Sequence, residues 1–249
     1  LAAKEVPTSK KIQQEYKNCQ KEADILQRVK AFMAKGDLTS CREILEAIID
    51  KCDNIVLFVY SARVDITLGD LVQAREKINK ALRFNPNYVD ALELRGLLYF
   101  FSGDMDKAKN YLYDAYTRHF ASETLRSAFA RVQHTRRTYL QACSAAKAER
   151  YTEAIELFSA TIKDSNPLPP LAPLFGKLRT ERAECYLSTK QFLEALRDCQ
   201  EVLNVLKEYA PAWVIRARVM IALGKGGEGR QELSIARRTW GADNPIIEE

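Results

Sequence analysis

Two consecutive stretches of the chain, 55–88 and 89–122, align without a gap at an offset of 34 residues. Gly69 falls on Gly103, Leu71 on Met105, Ala74 on Ala108 and Ala81 on Ala115. A period of this length makes each unit a supersecondary element that cannot bury its apolar face alone. Neighbouring units must therefore stack to complete a core. Small residues recur where two helices approach closely, and large apolar ones recur where they fill the space between.

The frame extends in both directions. Upstream, Gly36, Leu38, Cys41, Leu45 and Ile48 mark a unit over about 22–54. Downstream, Tyr151, Ala154 and Phe158 mark a unit starting near His134 or Thr135. Phe192, Ala195, Cys199 and Val202 mark another starting near Gly176, and Trp213, Ala217, Gly224, Leu233 and Ala236 mark the last. The expected fold is all-α, with six helix-turn-helix units coiled into a superhelix as two blocks of three. Its divisions are an N-terminal helical extension (1–21), a first block (22–122), a linker helix (123–134), a second block (135–240) and a C-terminal tail (241–249). The extension begins after Pro7-Thr8-Ser9, where a hydroxyl can cap a first turn.

Two interruptions break the period. Glu123 to His134 contains no Gly or Pro, Ser122 can cap its start, and nothing stops a helix before Glu149. One continuous helix, roughly 40 Å long at 1.5 Å per residue, is expected to join the blocks. The second interruption, Asn166 to Pro173, carries four prolines. Their fixed φ and missing N–H end the preceding helix and predict a semi-rigid extended loop. Pro167 to Pro170 also spells PxxP, the pattern of an SH3-type ligand.

Composition narrows the function classes. Lys and Arg number 38 against 33 Asp and Glu, too small an excess for a nucleic-acid binder with a concentrated basic face. Arg126, Arg131, Arg136 and Arg137 do not share one helical face, and no aromatic platform interleaves them. The longest apolar runs, such as Ile55 to Tyr60, fall far short of the ~20 residues of a membrane span. The six cysteines form no CxxC pair and only two histidines are present, so no metal site is expected. Scattered thiols read as small core residues in a reducing, cytoplasmic compartment, although Cys185 and Cys199 fall on the two helices of one unit. The chain opens LAAKEVPTSKK, without an initiator Met or an apolar signal segment, as expected of a fragment or a processed form.

No pattern calls for catalysis or a cofactor. Gly224, Gly226 and Gly229 satisfy the GxGxxG spelling, but a helix is expected before them. A dinucleotide site needs a strand there and a helix N-terminus facing the pyrophosphate. The glycines instead suit the turn and close packing of a loose terminal unit. No GxSxG, HExxH or GxxxxGK[ST] pattern occurs.

The repeat signature over 22–240 is that of tetratricopeptide-repeat (TPR) proteins. Residues 150–163 (RYTEAIELFSATIK), 181–203 and 210–224 resemble the TPR region of DnaJ-type co-chaperones. So does 96–116 (GLLYFFSGDMDKAKNYLYDAY) followed by a linker helix. The resemblance implies a non-catalytic scaffold that carries unfolded or native client proteins, or chaperones of the Hsp70 and Hsp90 classes. A TPR adaptor in an unrelated assembly is the alternative. That family's J domain carries His-Pro-Asp, which is not found in this sequence.

Many TPR co-chaperones grip two carboxylates of a chaperone tail with Lys, Asn and Arg donors converging in one groove. The matching positions are Tyr139, Cys143, Glu181, Pro211 and Ile215 in the second block, and Leu26, Lys30, Tyr60, Asp90 and Leu94 in the first. Only Lys30 is basic, Asp90 reverses the family's charge and Glu181 repels a carboxylate. Any chaperone partner is therefore expected to bind in another way.

Candidate groove residues in the first block are Val56, Val59, Arg63, Ile66, Leu97, Phe100 and Phe101, on first helices that line a concave surface. Two readings of the apolar ones are open. They form a client-binding patch, or they pack against neighbouring helices or under the N-terminal helix. In the second block the candidates are Arg136, Lys147, Lys177 and Arg218, which either meet an acidic peptide or are ordinary solvated charge.

Overall fold

The computed structural model describes residues 10–49, 54–166, 168–169 and 171–240. These residues form twelve helices and no strand: α1 (Lys10–Ala34), α2 (Leu38–Ile49), α3 (Ile55–Leu68), α4 (Leu71–Phe84), α5 (Val89–Phe101), α6 (Met105–Arg118), α7 (Glu123–Lys147), α8 (Tyr151–Ser165), α9 (Pro173–Ser188), α10 (Phe192–Val205), α11 (Ala210–Ala222) and α12 (Gly226–Trp240). Consecutive helices pack as antiparallel pairs. Neighbouring odd-numbered helices also touch, α3 on α5, α5 on α7 and α9 on α11, forming an inner layer.

Local chemistry sets the boundaries. The Asn54, Asp70, Asp104 and Ser122 side chains accept from Val56, Gln73, Lys107 and Leu125 N–H, capping α3, α4, α6 and α7. Between the helices of a pair the chain turns through one left-handed residue. Gly36, Gly69, Gly103 and Gly224 fill that place, with φ from 76° to 89°. In the fourth and fifth pairs Glu149 and Lys190 take it instead, each at φ 59°, a conformation that costs an L-residue about 1–2 kcal/mol. The backbone bonds of the turn are unchanged: Arg150 N–H reaches Ala145 C=O at 2.9 Å, as Asp70 N–H reaches Asp65 C=O at 2.8 Å.

The expected joining helix is present. α7 runs unbroken from Glu123 to Lys147, so the linker and the first helix of the fourth pair are one rod. Likewise α1 runs on from Lys10 through Ala34 with no break between the extension and the first unit. Residues 7–9, the tail at 241–249, Pro167 and Pro170 lie outside the described residues, and with them the proposed cap and the PxxP reading.

The largest core cluster runs from α3 to α9, across both halves. Ala172, Leu174 and Leu178 pack with Phe58, Phe101, Leu112 and Val132, and Leu168 lies against the same cluster. Leu168 and Ala172 thus tie this stretch, the joint between α8 and α9, to the shared core. Leu171 sits directly on Gly69, where an added Cβ would meet the Leu171 Cβ at 2.6 Å. Farther along, Asp198 is 3% exposed and receives Arg182 in a two-pronged bond, Nε at 2.7 Å and Nη2 at 2.6 Å. Arg182 also reaches Ser159 at 2.9 Å, so one guanidinium ties α8, α9 and α10.

Cys185 and Cys199 are free and buried, and burial pushes their thiols up to about 11 and about 12. They act as small packing residues. The terminal glycines behave as turn and packing positions too. Gly224 is left-handed, and at Gly229 a Cβ would stand 2.7 Å from the Ala217 carbonyl oxygen. The segment follows helix α11, and no strand precedes it.

Candidate functional site

The inner layer of the first half carries two adjoining cavities, one of about 400 Å³ and one of about 280 Å³. Both are lined by Glu93, Leu97 and Arg131. The first adds Thr124, Ser127 and Ala128 of α7. The second adds Arg63, Ile66 and Thr67 of α3, Leu94 and Phe101 of α5, and Leu168 and Pro169 of the joint. Helical spacing explains the alignment: residues 63 and 67, 93 and 97, and 124, 127 and 131 recur every three or four positions on one face of each helix.

The floor of this groove is apolar and its rim is charged. Arg63 lies 3.9 Å from Glu93. Burial pushes the Glu93 carboxyl above its ordinary range, against the opposing pull of Arg63 and Arg131. Arg131 is half-buried and sits over the Phe100 ring at 5.8 Å. Burial lowers its pKa, with Glu93 acting in the other direction.

The structure divides the predicted groove set. Arg63, Ile66, Leu97 and Phe101 line the second cavity. Val59 and Phe100, at 2% and 0% exposure, are core residues, and Phe101 at 5% shows the cavity little of its ring. Val56 is half-buried at the N-terminal end of α3, outside both cavities. Of the two readings open for Phe100 and Phe101, their burial accords with packing against neighbouring helices. Helix α5 packs against α3, α4, α6, α7 and α9, so a position one step from the groove stripe points into a neighbour. Among the described residues, the Leu168–Pro169 joint lines the second cavity together with α3, α5 and Arg131.

The second half is neutralised internally. Tyr139 Oη donates to Glu181 Oε1 at 2.9 Å, Cys143 Sγ lies 3.8 Å from Glu181 Oε2, and Lys177 Nζ stands 5.0 Å from the centre of the Tyr139 ring. Burial raises both the Glu181 carboxyl and the Tyr139 phenol above their ordinary values. Arg218 pairs with Glu184 at 2.8 Å and Arg136 with Asp106 at 2.7 Å, while Lys147 is exposed. Three of the positions where a two-carboxylate clamp would place donors thus form a closed network around a carboxylate. In the first half, Lys30 lies over the Tyr60 ring at 5.6 Å.

Sequence reasoning missed Glu93, and it missed the role of Arg131, which it weighed only as part of a basic run. Glu93 lies four residues before Leu97 on the same stripe, a signal that was available. The Leu168–Pro169 wall is a contact across more than sixty positions of sequence, which no local pattern carries. The described residues contain no cluster of three His, Cys, Asp or Glu side chains that could hold a metal ion. None of their helices is long and apolar enough to cross a membrane.

The comparisons agree with this architecture. The tetratricopeptide-repeat family model matches residues 61–123 and 139–212, more than half of the chain. A DnaJ homolog subfamily C member 7 homolog of Schizosaccharomyces pombe is 27% identical over 188 residues, 76% of this chain and 39% of that protein. The chain therefore spans well under half of that relative. Among solved structures, the P58(IPK) TPR domain superposes over 96% of this chain and 67% of its own, at TM-score 0.66 and 18% identity. A chain of the APC/C hetero-tetramer Cut9-Hcn1 gives a match over 88% of this chain and 46% of its own, at TM-score 0.54 and 13% identity. These structural likenesses establish the fold.

Proposed function

The chain belongs to the tetratricopeptide-repeat family, and from that premise we propose that it is a non-catalytic scaffold of a DnaJ-type co-chaperone. In this reading it holds client polypeptide in the groove between α3, α5 and α7. The observation that carries the reading is the pair of adjoining cavities on one inner face, with an apolar floor of Ile66, Leu94 and Leu97 beneath a charged rim. A groove of this kind accepts an extended segment by burying its apolar side chains, each worth about 1.5–3 kcal/mol. The likeness to the Schizosaccharomyces pombe DnaJ homolog supports the chaperone connection. The closed Tyr139–Cys143–Glu181 network argues that an Hsp70- or Hsp90-class partner engages the chain by some means other than a two-carboxylate clamp.

Leu97 is the test, because it lines both cavities. Leu97→Asp is expected to weaken binding of a reduced, carboxymethylated model protein by about tenfold or more, the equivalent of ~1.4 kcal/mol. Leu193→Asp, on the outer helix α10 at 73% exposure, is the control and leaves binding unchanged. Equal binding by wild type and a folded Leu97→Asp variant refutes the groove.

A further inference from the structure

We propose that Arg131 is the anchor for an acidic residue of the bound segment, so that the groove selects extended peptides in which a Glu or Asp is flanked by apolar side chains. This deepens the groove reading and rests on it. The argument starts from hydrogen-bond satisfaction. A guanidinium carries five N–H donors in a fixed fork, and a half-buried one whose donors meet only solvent can take an incoming acceptor without giving up a protein partner. Arg131 is half-buried against Phe100. Among the described residues its guanidinium has no hydrogen-bond acceptor and no carboxylate within ion-pair distance; Glu93 acts on it only from farther away.

The surrounding charges leave room for an incoming carboxylate. Glu93 is already engaged by Arg63 at 3.9 Å, and Glu123 at the far end is paired with Arg126. The Arg63–Glu93–Arg131 cluster therefore keeps one net positive charge, and that charge sits on the unpaired member. An acceptor arriving from a ligand finds Arg131 already partly desolvated, so the charge-assisted bond forms at little further cost. Leu97, which lines both cavities beside Arg131, gives the flanking apolar side chain its surface.

The experiment uses two twelve-residue peptides that carry the same fluorescein label and differ at one atom group, with a central Leu-Glu-Leu in one and Leu-Gln-Leu in the other, capped at both ends and with no other charged residue. Fluorescence anisotropy at low salt is expected to show the Glu peptide binding the whole chain about tenfold more tightly, with the preference shrinking as salt rises. Arg131→Met keeps an apolar stem over Phe100 and removes the donors. It is expected to abolish the preference, leave the Gln peptide's affinity unchanged, and leave the melting temperature unchanged or higher. Arg63→Met leaves the Arg131 donors in place but frees Glu93 to act on Arg131 alone, so it is expected to weaken the preference without abolishing it.

Equal affinity of the two peptides for wild type refutes the anchor while leaving the groove reading intact. A preference that survives Arg131→Met shows that the anchor is misassigned. Binding of neither peptide refutes both the anchor and the groove on which it rests.

Discussion

Replacing Gly69 by Ala tests how firmly the two halves are joined, because that glycine has two separate reasons to be glycine. Its φ is 87°, where an added Cβ costs about 1–2 kcal/mol. The Cβ would also stand 2.6 Å from Leu171 Cβ and 2.9 Å from its Cγ. Neither is the far end of a flexible side chain, so the Leu171 backbone must retreat by roughly 0.8 Å to restore ordinary contact, an overpacking of about 1–3 kcal/mol. Gly103 supplies the control one repeat later. Its φ is 89°, and its Cβ would meet only Lys177 Cδ at 3.7 Å. Urea unfolding followed by helical circular dichroism should therefore give ~1–2 kcal/mol for Gly103→Ala and ~2–5 kcal/mol for Gly69→Ala. Leu171→Gly, at a position 43% exposed, should cost little alone. Combined with Gly69→Ala it should return the variant to the Gly103→Ala level, a coupling of about 1–3 kcal/mol. If Gly69→Ala costs no more than Gly103→Ala, or if the double variant is additive, Leu171 does not hold the halves together.

Two further outcomes follow from burial. Phe100→Ala removes a fully buried ring and should cost about 3–5 kcal/mol in the same unfolding assay, where a groove-exposed ring would cost far less. Glu181 is held above its ordinary carboxyl range by burial, so the folded state holds its proton more readily than the unfolded chain. Its contribution favours folding below the ordinary value of about 4.3 and is lost as pH rises through the higher folded-state value. Glu181→Gln, which still offers Tyr139 an acceptor, should therefore raise the melting temperature at neutral pH, with the gain vanishing at pH ~4. A gain that persists unchanged into acid would assign the effect to something other than ionisation.

The fold was legible where its cause is local or periodic. Equivalent small residues 34 positions apart define where helices approach, and the breaker-free run after Ser122 could only continue as helix, which is what α7 does. The turns of the second half were harder to read. Glu149 and Lys190 occupy the left-handed place that glycine takes elsewhere, because three or four backbone hydrogen bonds around the turn outweigh the strain on an L-residue. Register there had to come from Tyr151, Ala154 and Phe158, and from Phe192, Ala195 and Cys199. The groove was legible only in part. Arg63 on α3 and Leu97 on α5 lie on stripes that face the same cavity, but a stripe within one helix does not say which of its flanks a neighbour covers. For Phe100 that neighbour is supplied by the stacking of α5 among five other helices, a tertiary fact.

The two concave faces differ in what a ligand would have to displace. On the second, Glu181 already accepts from Tyr139, Arg218 already pairs with Glu184, and Arg136 with Asp106. A peptide carboxylate that reaches Arg218 or Arg136 must break an existing pair, and that exchange gains little beyond what the resident partner supplied. Lys147 is exposed and offers only a solvated charge. On the first face Arg131 is partly stripped of water with no acceptor in return, and the floor beside it is apolar. A ligand carboxylate there displaces water from Arg131 instead of a resident protein partner. Glu181, a glutamate where a clamp would need a donor, adds a carboxylate that opposes an acidic segment near Tyr139 and Cys143. The physical preference for such a segment then rests with the groove of α3, α5 and α7, whose wall is completed by Leu168 and Pro169 between the halves. For that reason a change at Gly69 that shifts the joint should be felt in ligand affinity as well as in stability.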